Sequence, residues 1–190
     1  MGFLIRTSDA LARFERLLLI ASVAAILGLI LLNVVTRAAQ ASIYWVDEAA
    51  IFAMVFCTFI GASLLVRMRL DFAVTLLTDF APAALRRWVP AVNSAIVLLF
   101  AAMMLWLCWN WFDPVVFARA GFDPAKFFGE TFNDIYREMP ATVGVRKVWF
   151  YLVMPWCSAT MAVHASANLA EDVASALGRE PAHAREEAQI

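Results

Sequence analysis

The residues best suited to chemistry in this chain are polar side chains at the facing ends of two apolar segments. Asn33 and Arg37 are four residues apart, a spacing that places two side chains on one face of a helix. A connection of seven residues leads to Trp45, and Glu48 follows in the first turn of the next segment. This pattern favours an ion pair between Arg37 and Glu48, or a pair between either charge and a second chain. The simpler alternative is a helix-end arginine that extends its charge to the membrane surface.

The other reactive residue types form no catalytic or metal-binding pattern. The three cysteines lie within apolar segments without paired spacing, which is typical of small buried residues. His164 is the one histidine within an apolar segment, whereas a bis-histidine haem site needs two. The sequence has no glycine-rich phosphate loop and no H-E-x-x-H motif. We therefore expect neither an enzyme nor a bound cofactor, and the net charge of −1 suggests no nucleic-acid partner.

The segments that position the polar residues are apolar enough to cross a membrane. Hydrophobic residues make up 63% of the chain and charged residues 16%, compared with about 25% charged residues in soluble domains. A bilayer core of about 30 Å needs about 20 apolar residues in a helix. Four segments approach this length, at about 17–36, 46–66, 88–112 and 148–170. The sequence therefore predicts an all-α integral membrane protein with four transmembrane helices, surrounded by lipid, in one domain (1–175) with a polar cytoplasmic tail (176–190).

Two amphipathic stretches are predicted to be interfacial helices, at about 70–85 and 124–139. The second has an apolar face and an opposite charged face at helical spacing. This charged face is a candidate docking surface for a soluble binding protein, and a helix resting on the membrane surface is the alternative. The candidate docking residues are Glu130, Asp134, Arg137 and Glu138.

Individual glycine, aspartate and proline residues predict where helices pack closely, begin or bend. Gly61 belongs to a stripe of small residues at four-residue steps in the second segment, which favours close helix packing. Asp113 and Asp123 each precede a proline, as N-cap residues at helix starts often do. Pro155 predicts a kink in the fourth segment.

The distribution of basic residues predicts the orientation. Nine Lys and Arg residues lie on the side of the termini and six on the other side. Because cytoplasmic segments carry the excess of Lys and Arg, we expect both termini in the cytoplasm and the loop at 113–147 in the periplasm.

Several short motifs occur together in a recognisable order. They are Asn33-Val34-Val35-Thr36-Arg37, Trp45-Val46-Asp47-Glu48, Phe59-Ile60-Gly61-Ala62 with Arg67, Glu138-Met139-Pro140, Val148-Trp149-Phe150-Tyr151 and Met154-Pro155. In this order the chain resembles the small membrane subunit of tripartite ATP-independent periplasmic (TRAP) transporters, the DctQ-like family. It departs from the family where Leu70-Asp71-Phe72 replaces a Gly-His-hydrophobic pattern, and in a longer third loop.

The resemblance implies a function that composition does not show. Such subunits sit in the bacterial inner membrane and join a large multi-span permease subunit, which holds the substrate and sodium sites. A periplasmic solute-binding protein delivers an organic acid, and the small subunit enlarges the static scaffold. The residues expected to form the subunit interface or a structural ion pair are Asn33, Arg37, Trp45, Glu48, Gly61 and Arg67.

Among these residues, Arg37 and Glu48 are expected to matter more for assembly with the large subunit than Arg67.

Two other classes of function stay open at this point. A small membrane-anchor subunit of a redox complex would carry haem or quinone. A self-assembling structural membrane protein would form stable homo-oligomers without a partner.

Overall fold

The computed structural model describes residues 2–69 and 86–178, and the regular structure in these ranges is entirely α-helical. This confirms the all-α fold. The helices are α1 (Gly2–Ala38), α2 (Tyr44–Met68), α3 (Val89–Phe112), α4 (Pro114–Arg119), α5 (Pro124–Thr131), α6 (Val148–Tyr151) and α7 (Val153–Ala176). The predicted interfacial helix at about 70–85 and the tail from residue 179 lie outside the described residues.

Within the described residues, three helices are long and apolar enough to cross a membrane. They are α1, α2 and the helical segment that begins at Val89. Helix α7 has 24 residues but is not among them, because its sequence includes polar residues such as His164 and Asn168. Length and composition therefore support three of the four predicted spans.

Helix α7 lies at the centre of the bundle. It packs against α1, α2 and α3, and α1 packs along α2. A methyl group added at Gly61 would lie 3.7 Å from the Leu19 side chain, so this small residue sits where α1 and α2 meet. The outward-facing apolar side chains of α1 and α3 stay exposed in the isolated chain, as Leu17 and Leu99 do at 67% and 71%. These faces need lipid or another protein to cover them.

The predicted kink near Pro155 is a break between two helices. Helix α6 ends at Tyr151, and α7 begins at Val153. Because proline has no N–H, Pro155 cannot donate to the carbonyl of Tyr151 four residues earlier. The hydrogen bond from the Trp156 N–H to the Leu152 carbonyl, 3.3 Å, follows directly after the break.

The predicted interfacial helix at 124–139 is only half as long as expected. Helix α5 ends at Thr131, and Phe132 takes a left-handed backbone conformation with φ of 56°. The side chain of Asn133 provides the reason: it accepts from the Ile135 N–H at 3.1 Å and donates to the Trp111 carbonyl at 2.6 Å. An asparagine that bonds to the backbone in this way competes with helix propagation.

The rest of the third loop folds into a small apolar core at the end of α3. The residues buried in it are Cys108, Phe112, Ala120, Phe127, Ile135 and Val148. The Phe117 and Tyr136 rings stack with 3.7 Å between centroids, and the Tyr136 hydroxyl donates to the Phe112 carbonyl at 2.7 Å. Both predicted N-caps are confirmed, since Asp113 accepts from the Val116 N–H and Asp123 from the Ala125 N–H. The loop is therefore an ordered cap on the bundle.

Candidate functional site

Polar side chains at the Arg37 end of the bundle tie α1 to α2. The Arg37 guanidinium donates to the Asp47 carboxylate, with Nη2 and Oδ2 2.8 Å apart. Arg37 Nε also donates to Asn33 Oδ1 at 3.0 Å, and the Asn33 amide donates to Asp47. Asn33 and Arg37 therefore do share one face, as predicted, but the carboxylate that they bind is Asp47. The expected pairing of Arg37 with Glu48 does not occur within this chain.

Glu48 binds the third loop instead. Its carboxylate accepts from three successive backbone N–H groups, of Ala141, Thr142 and Val143, at 3.0, 2.7 and 3.2 Å. The Thr142 hydroxyl adds a bond of 2.6 Å. Neighbouring helical residues point about 100° apart. Since Asp47 faces α1, the next residue faces the loop that precedes α6.

The remaining predicted residue at this end, Trp45, lies on the surface at the start of α2 with 45% of its area exposed. An exposed aromatic residue at this level suits a membrane boundary.

The four candidate docking residues do not share one helical face. Glu130 is exposed at the end of α5. Asp134 lies 3.6 Å from Arg137 Nε in the following turn, and the Arg137 guanidinium lies over the Phe128 ring at 4.5 Å. Glu138 is bound within the loop by Lys147 and faces the Tyr151 hydroxyl at 3.5 Å. The exposed acidic surface is therefore formed by Glu130 and Asp134, whereas Glu138 stabilises the loop itself.

The ion pair with Glu138 affects the pKa of Lys147. The hydrogen bond to Glu138 raises the pKa of Lys147 above its usual value; desolvation opposes this with a smaller effect, and the negative charges of Glu138 and Glu48 add to the rise. Lys147 therefore stays charged where the loop meets α6.

A second group of charges ties α2 to α1 and α7 at the opposite end, which we call the Arg67 end. The Arg67 side chain is 7% exposed and donates to Asp9 Oδ1 at 2.6 Å and to Asn168 Oδ1 at 2.8 Å. It also lies 3.4 Å from Glu171. Arg69 binds Glu171 at 2.9 Å and contacts Asp172. The Ser94 hydroxyl donates to Asp172 at 2.6 Å, which extends the network to α3.

A third polar group lies between these ends, wholly enclosed by α1, α2 and α7. Glu15 and His164 have no exposed area, and Glu15 Oε2 lies 3.1 Å from His164 Nε2. The Ser63 hydroxyl donates to Glu15 Oε1 at 2.8 Å and lies 2.7 Å from the Thr160 hydroxyl. Ser8 Oγ is 2.7 Å from His164 Nδ1. Within the described residues, every buried side-chain nitrogen and oxygen has a hydrogen-bond partner.

The protonation of the His164 ring determines which atoms donate and which accept in this group. If His164 is neutral and donates from Nε2 to Glu15, its Nδ1 accepts the proton of the Ser8 hydroxyl. If His164 is charged, it donates from both nitrogens. Serine, histidine and glutamate also occur in hydrolase triads, but Ser8 has no exposed area, so no substrate reaches its hydroxyl in this conformation. Across residues 2–69 and 86–178, no three His, Cys, Asp or Glu side chains are placed to hold a metal ion.

Sequence reasoning singled out Arg67 but missed most of its partners. The signal was present in α7, where Thr160, His164, Asn168 and Asp172 recur at four-residue steps. Such spacing places polar groups on one helical face. Glu15 was harder to find, because it lies between two exposed arginines and before the apolar segment begins.

Comparison with known proteins gives one family. A family model described as "Tripartite ATP-independent periplasmic transporters, DctQ component" matches residues 26–175. A curated relative, the C4-dicarboxylate TRAP transporter small permease protein DctQ of Vibrio cholerae, is 30% identical over 82 residues. That alignment covers 43% of this chain and 35% of the relative, so the chain spans about a third of the length of the relative. No solved structure matches the chain.

Proposed function

Because this chain belongs to the DctQ family of tripartite ATP-independent periplasmic (TRAP) transporter components, we propose that it is the small permease subunit of such a transporter. In this proposal it is a scaffold for a large multi-span permease subunit that holds the substrate and sodium sites. A periplasmic binding protein delivers an organic acid, the class of solute in the name of the Vibrio cholerae relative. The observation that carries the proposal is the family match over residues 26–175, which includes α2, α3 and nearly all of α7.

The packing supports a scaffold role. Buried or partly buried charges join α2, α3 and α7 at the Arg67 end, and Arg37 with Asp47 joins α1 to α2 at the other. A bundle tied at both ends resists relative movement of its helices. Its exposed apolar faces on α1 and α3 provide the surface that the large subunit and lipid would cover.

The proposed topology has four spans in the bacterial inner membrane, with α7 as the fourth. The polar residues of α7 support this placement, because His164, Asn168 and Asp172 face other helices and are buried. Polar side chains in membrane helices commonly face the bundle interior. The excess of Lys and Arg on the side of the termini supports cytoplasmic termini and a periplasmic third loop.

Cysteine labelling tests the topology. In a variant without the three native cysteines, a single cysteine at Arg146 should react with an impermeant reagent in intact cells. A cysteine at Arg13, at the other end of the bundle, should react only after lysis. The opposite result at these two positions would reverse the proposed orientation.

Co-purification and uptake test the function. The tagged chain, expressed with its native partners, should retain a large permease subunit in mild detergent. Proteoliposomes of the complex should take up an organic acid only with a sodium gradient and the binding protein. A complex that retains haem or quinone would favour the redox-anchor alternative, and a stable homo-oligomer without a permease would favour the structural one. The family match favours neither alternative.

A further inference from the structure

A cleft of about 510 Å³ opens between α1, α2 and α7 at the Arg67 end. It is lined by four arginines and three carboxylates, so its walls carry one net positive charge. The carboxylates are Asp9, Glu171 and Asp172, and the arginines are Arg13, Arg16, Arg67 and Arg69.

The four arginines have different surroundings. Arg67 and Arg69 are bound to the carboxylates of the cleft. Arg13 and Arg16, by contrast, are exposed and one turn apart on α1, and neither makes an ion pair or hydrogen bond within the described part of the chain. The cleft therefore combines a fixed wall, in which the carboxylates are neutralised, with two cations that are available to a ligand.

The position of the cleft indicates what kind of anion fits it. Arg16 immediately precedes the uncharged stretch of α1, and Arg67 ends the uncharged stretch of α2. If α1 and α2 cross a membrane, both arginines lie at its boundary, at the depth of lipid phosphates. The cleft also has apolar lining residues, Leu64 and Met68 among them, and Met68 is 44% exposed.

We propose that this cleft binds the phosphate of an anionic phospholipid such as phosphatidylglycerol. Arg13 and Arg16 hold the phosphate, and the start of an acyl chain lies on the apolar lining beside Met68. Basic pockets between membrane helices commonly hold anionic head groups in this way. A soluble anion would meet the same arginines but would gain nothing from the apolar lining.

Native mass spectrometry of the purified small-subunit and permease complex tests the proposal, with phosphatidylglycerol, phosphatidylethanolamine and inorganic phosphate as probes. In R13Q/R16Q we expect phosphatidylglycerol to bind about 30-fold more weakly, because each arginine near a membrane surface contributes about 1 kcal/mol. The matched control is R119Q/R146Q, which removes two exposed arginines at the opposite end and should bind phosphatidylglycerol as the parent does. Arg67 and Arg69 are kept, because they hold α2 against α7.

Four results would overturn the proposal. The first is unchanged phosphatidylglycerol binding in R13Q/R16Q, and the second is an equal loss in the control variant. The third is a lack of selectivity for the anionic lipid, seen as equal binding of phosphatidylethanolamine or as displacement of the lipid by inorganic phosphate at comparable concentration. The fourth is release of the large permease subunit from R13Q/R16Q, which would assign the two arginines to the subunit interface. The same spectra show whether the parent complex contains the large permease subunit. A parent without that subunit would contradict the proposed function, whereas the lipid results test only the cleft.

Discussion

Glu48 holds Thr142 through one carboxylate oxygen, which accepts from the backbone N–H at 2.7 Å and from the hydroxyl at 2.6 Å. These residues are 94 positions apart, so the start of α2 fixes the loop that leads into α6. Three successive N–H groups around one carboxylate resemble the anion-binding nests found elsewhere in proteins. Here the anion belongs to the chain itself.

Replacement of Glu48 by Leu should release this loop. The N–H groups of residues 141–143 would lose their acceptor and exchange with solvent faster, which hydrogen exchange with mass spectrometry measures on peptides from this region. Asp47→Leu is the control, because Asp47 faces Arg37 and not the loop. Equal exchange in the Glu48→Leu variant and the parent would show that the loop does not depend on Glu48.

A second prediction follows because Asp47, and not Glu48 as expected, is the partner of Arg37. A double-mutant cycle between Arg37 and Asp47 should show a coupling energy of about 0.2–1 kcal/mol, the range for exposed ion pairs, since the two side chains are 63% and 52% exposed. The cycle between Arg37 and Glu48 should show none. Both are measured from the unfolding free energy of the detergent-purified protein. Coupling only in the second cycle would contradict the structure.

The sequence predicted the all-helical fold and the helix starts after Asp113 and Asp123, because apolar length and a proline after an N-cap residue are local properties. It also predicted that Asn33 and Arg37 share a face, which follows from helical spacing alone. It did not predict the partner of Arg37, because Asp47 and Glu48 are adjacent acids. Which one faces α1 depends on the rotation of α2 about its axis, and that rotation is set by packing along the whole helix.

The central polar groups were missed for a related reason. In α7 the small residues Ser158, Ala162, Ser166 and Ala170 recur at four-residue steps, and so do Thr160, His164, Asn168 and Asp172. Either stripe could face the bundle. The structure buries the polar stripe because α1 and α2 contribute matching groups such as Glu15 and Arg67, and such long-range matches are not visible from spacing within one helix.

Arg67 should contribute more to stability than Arg37, in contrast to the order expected for assembly from the sequence. Removal of Arg67 leaves Glu171 buried without one of its cations, and breaking a buried pair costs about 3–5 kcal/mol. Arg37→Ala should cost about 1 kcal/mol or less, because its pair is exposed. Denaturant unfolding of both variants in the same detergent measures the difference. Equal losses would mean that the Arg67 network is solvated.

Charge reversal on the third loop tests the proposed contact with a binding protein. In E130K/D134K we expect slower uptake that depends on the binding protein, while the membrane complex stays assembled, because both residues are exposed. Glu138 is left unchanged, since it binds Lys147 and its loss would disturb the loop itself. The control is K126E, which changes an exposed charge on α5 in the opposite direction. Unchanged uptake in E130K/D134K would remove this surface from the docking proposal.

The stability of the third loop should decline at high pH through Tyr136. Burial raises the pKa of its hydroxyl, and the charge of Asp113 adds to the effect. A folded-state pKa above the usual value of about 10 means that this contribution is complete below pH 10 and is lost as the pH rises through the raised value. The tyrosinate absorbance of the parent minus that of Tyr136→Phe isolates this one titration. A midpoint at or below pH 10 would contradict the burial of the hydroxyl.

The enclosed pair of Glu15 and His164 gives the last prediction. Glu15→Leu leaves His164 Nε2 without its acceptor, which costs about 1–3 kcal/mol for a buried polar group. In Glu15→Gln, a neutral His164 can change tautomer, so that Nε2 accepts from the glutamine amide and Nδ1 donates to Ser8. We therefore expect Glu15→Gln to unfold at a denaturant concentration closer to that of the parent than Glu15→Leu does.

The control for this comparison is Arg6→Leu, an exposed change on the same helix, which should shift stability by about 0.5 kcal/mol or less. The comparison of the two Glu15 variants also tests whether the charge of Glu15 contributes to stability. If Glu15→Gln is as damaging as Glu15→Leu, the negative charge itself is required.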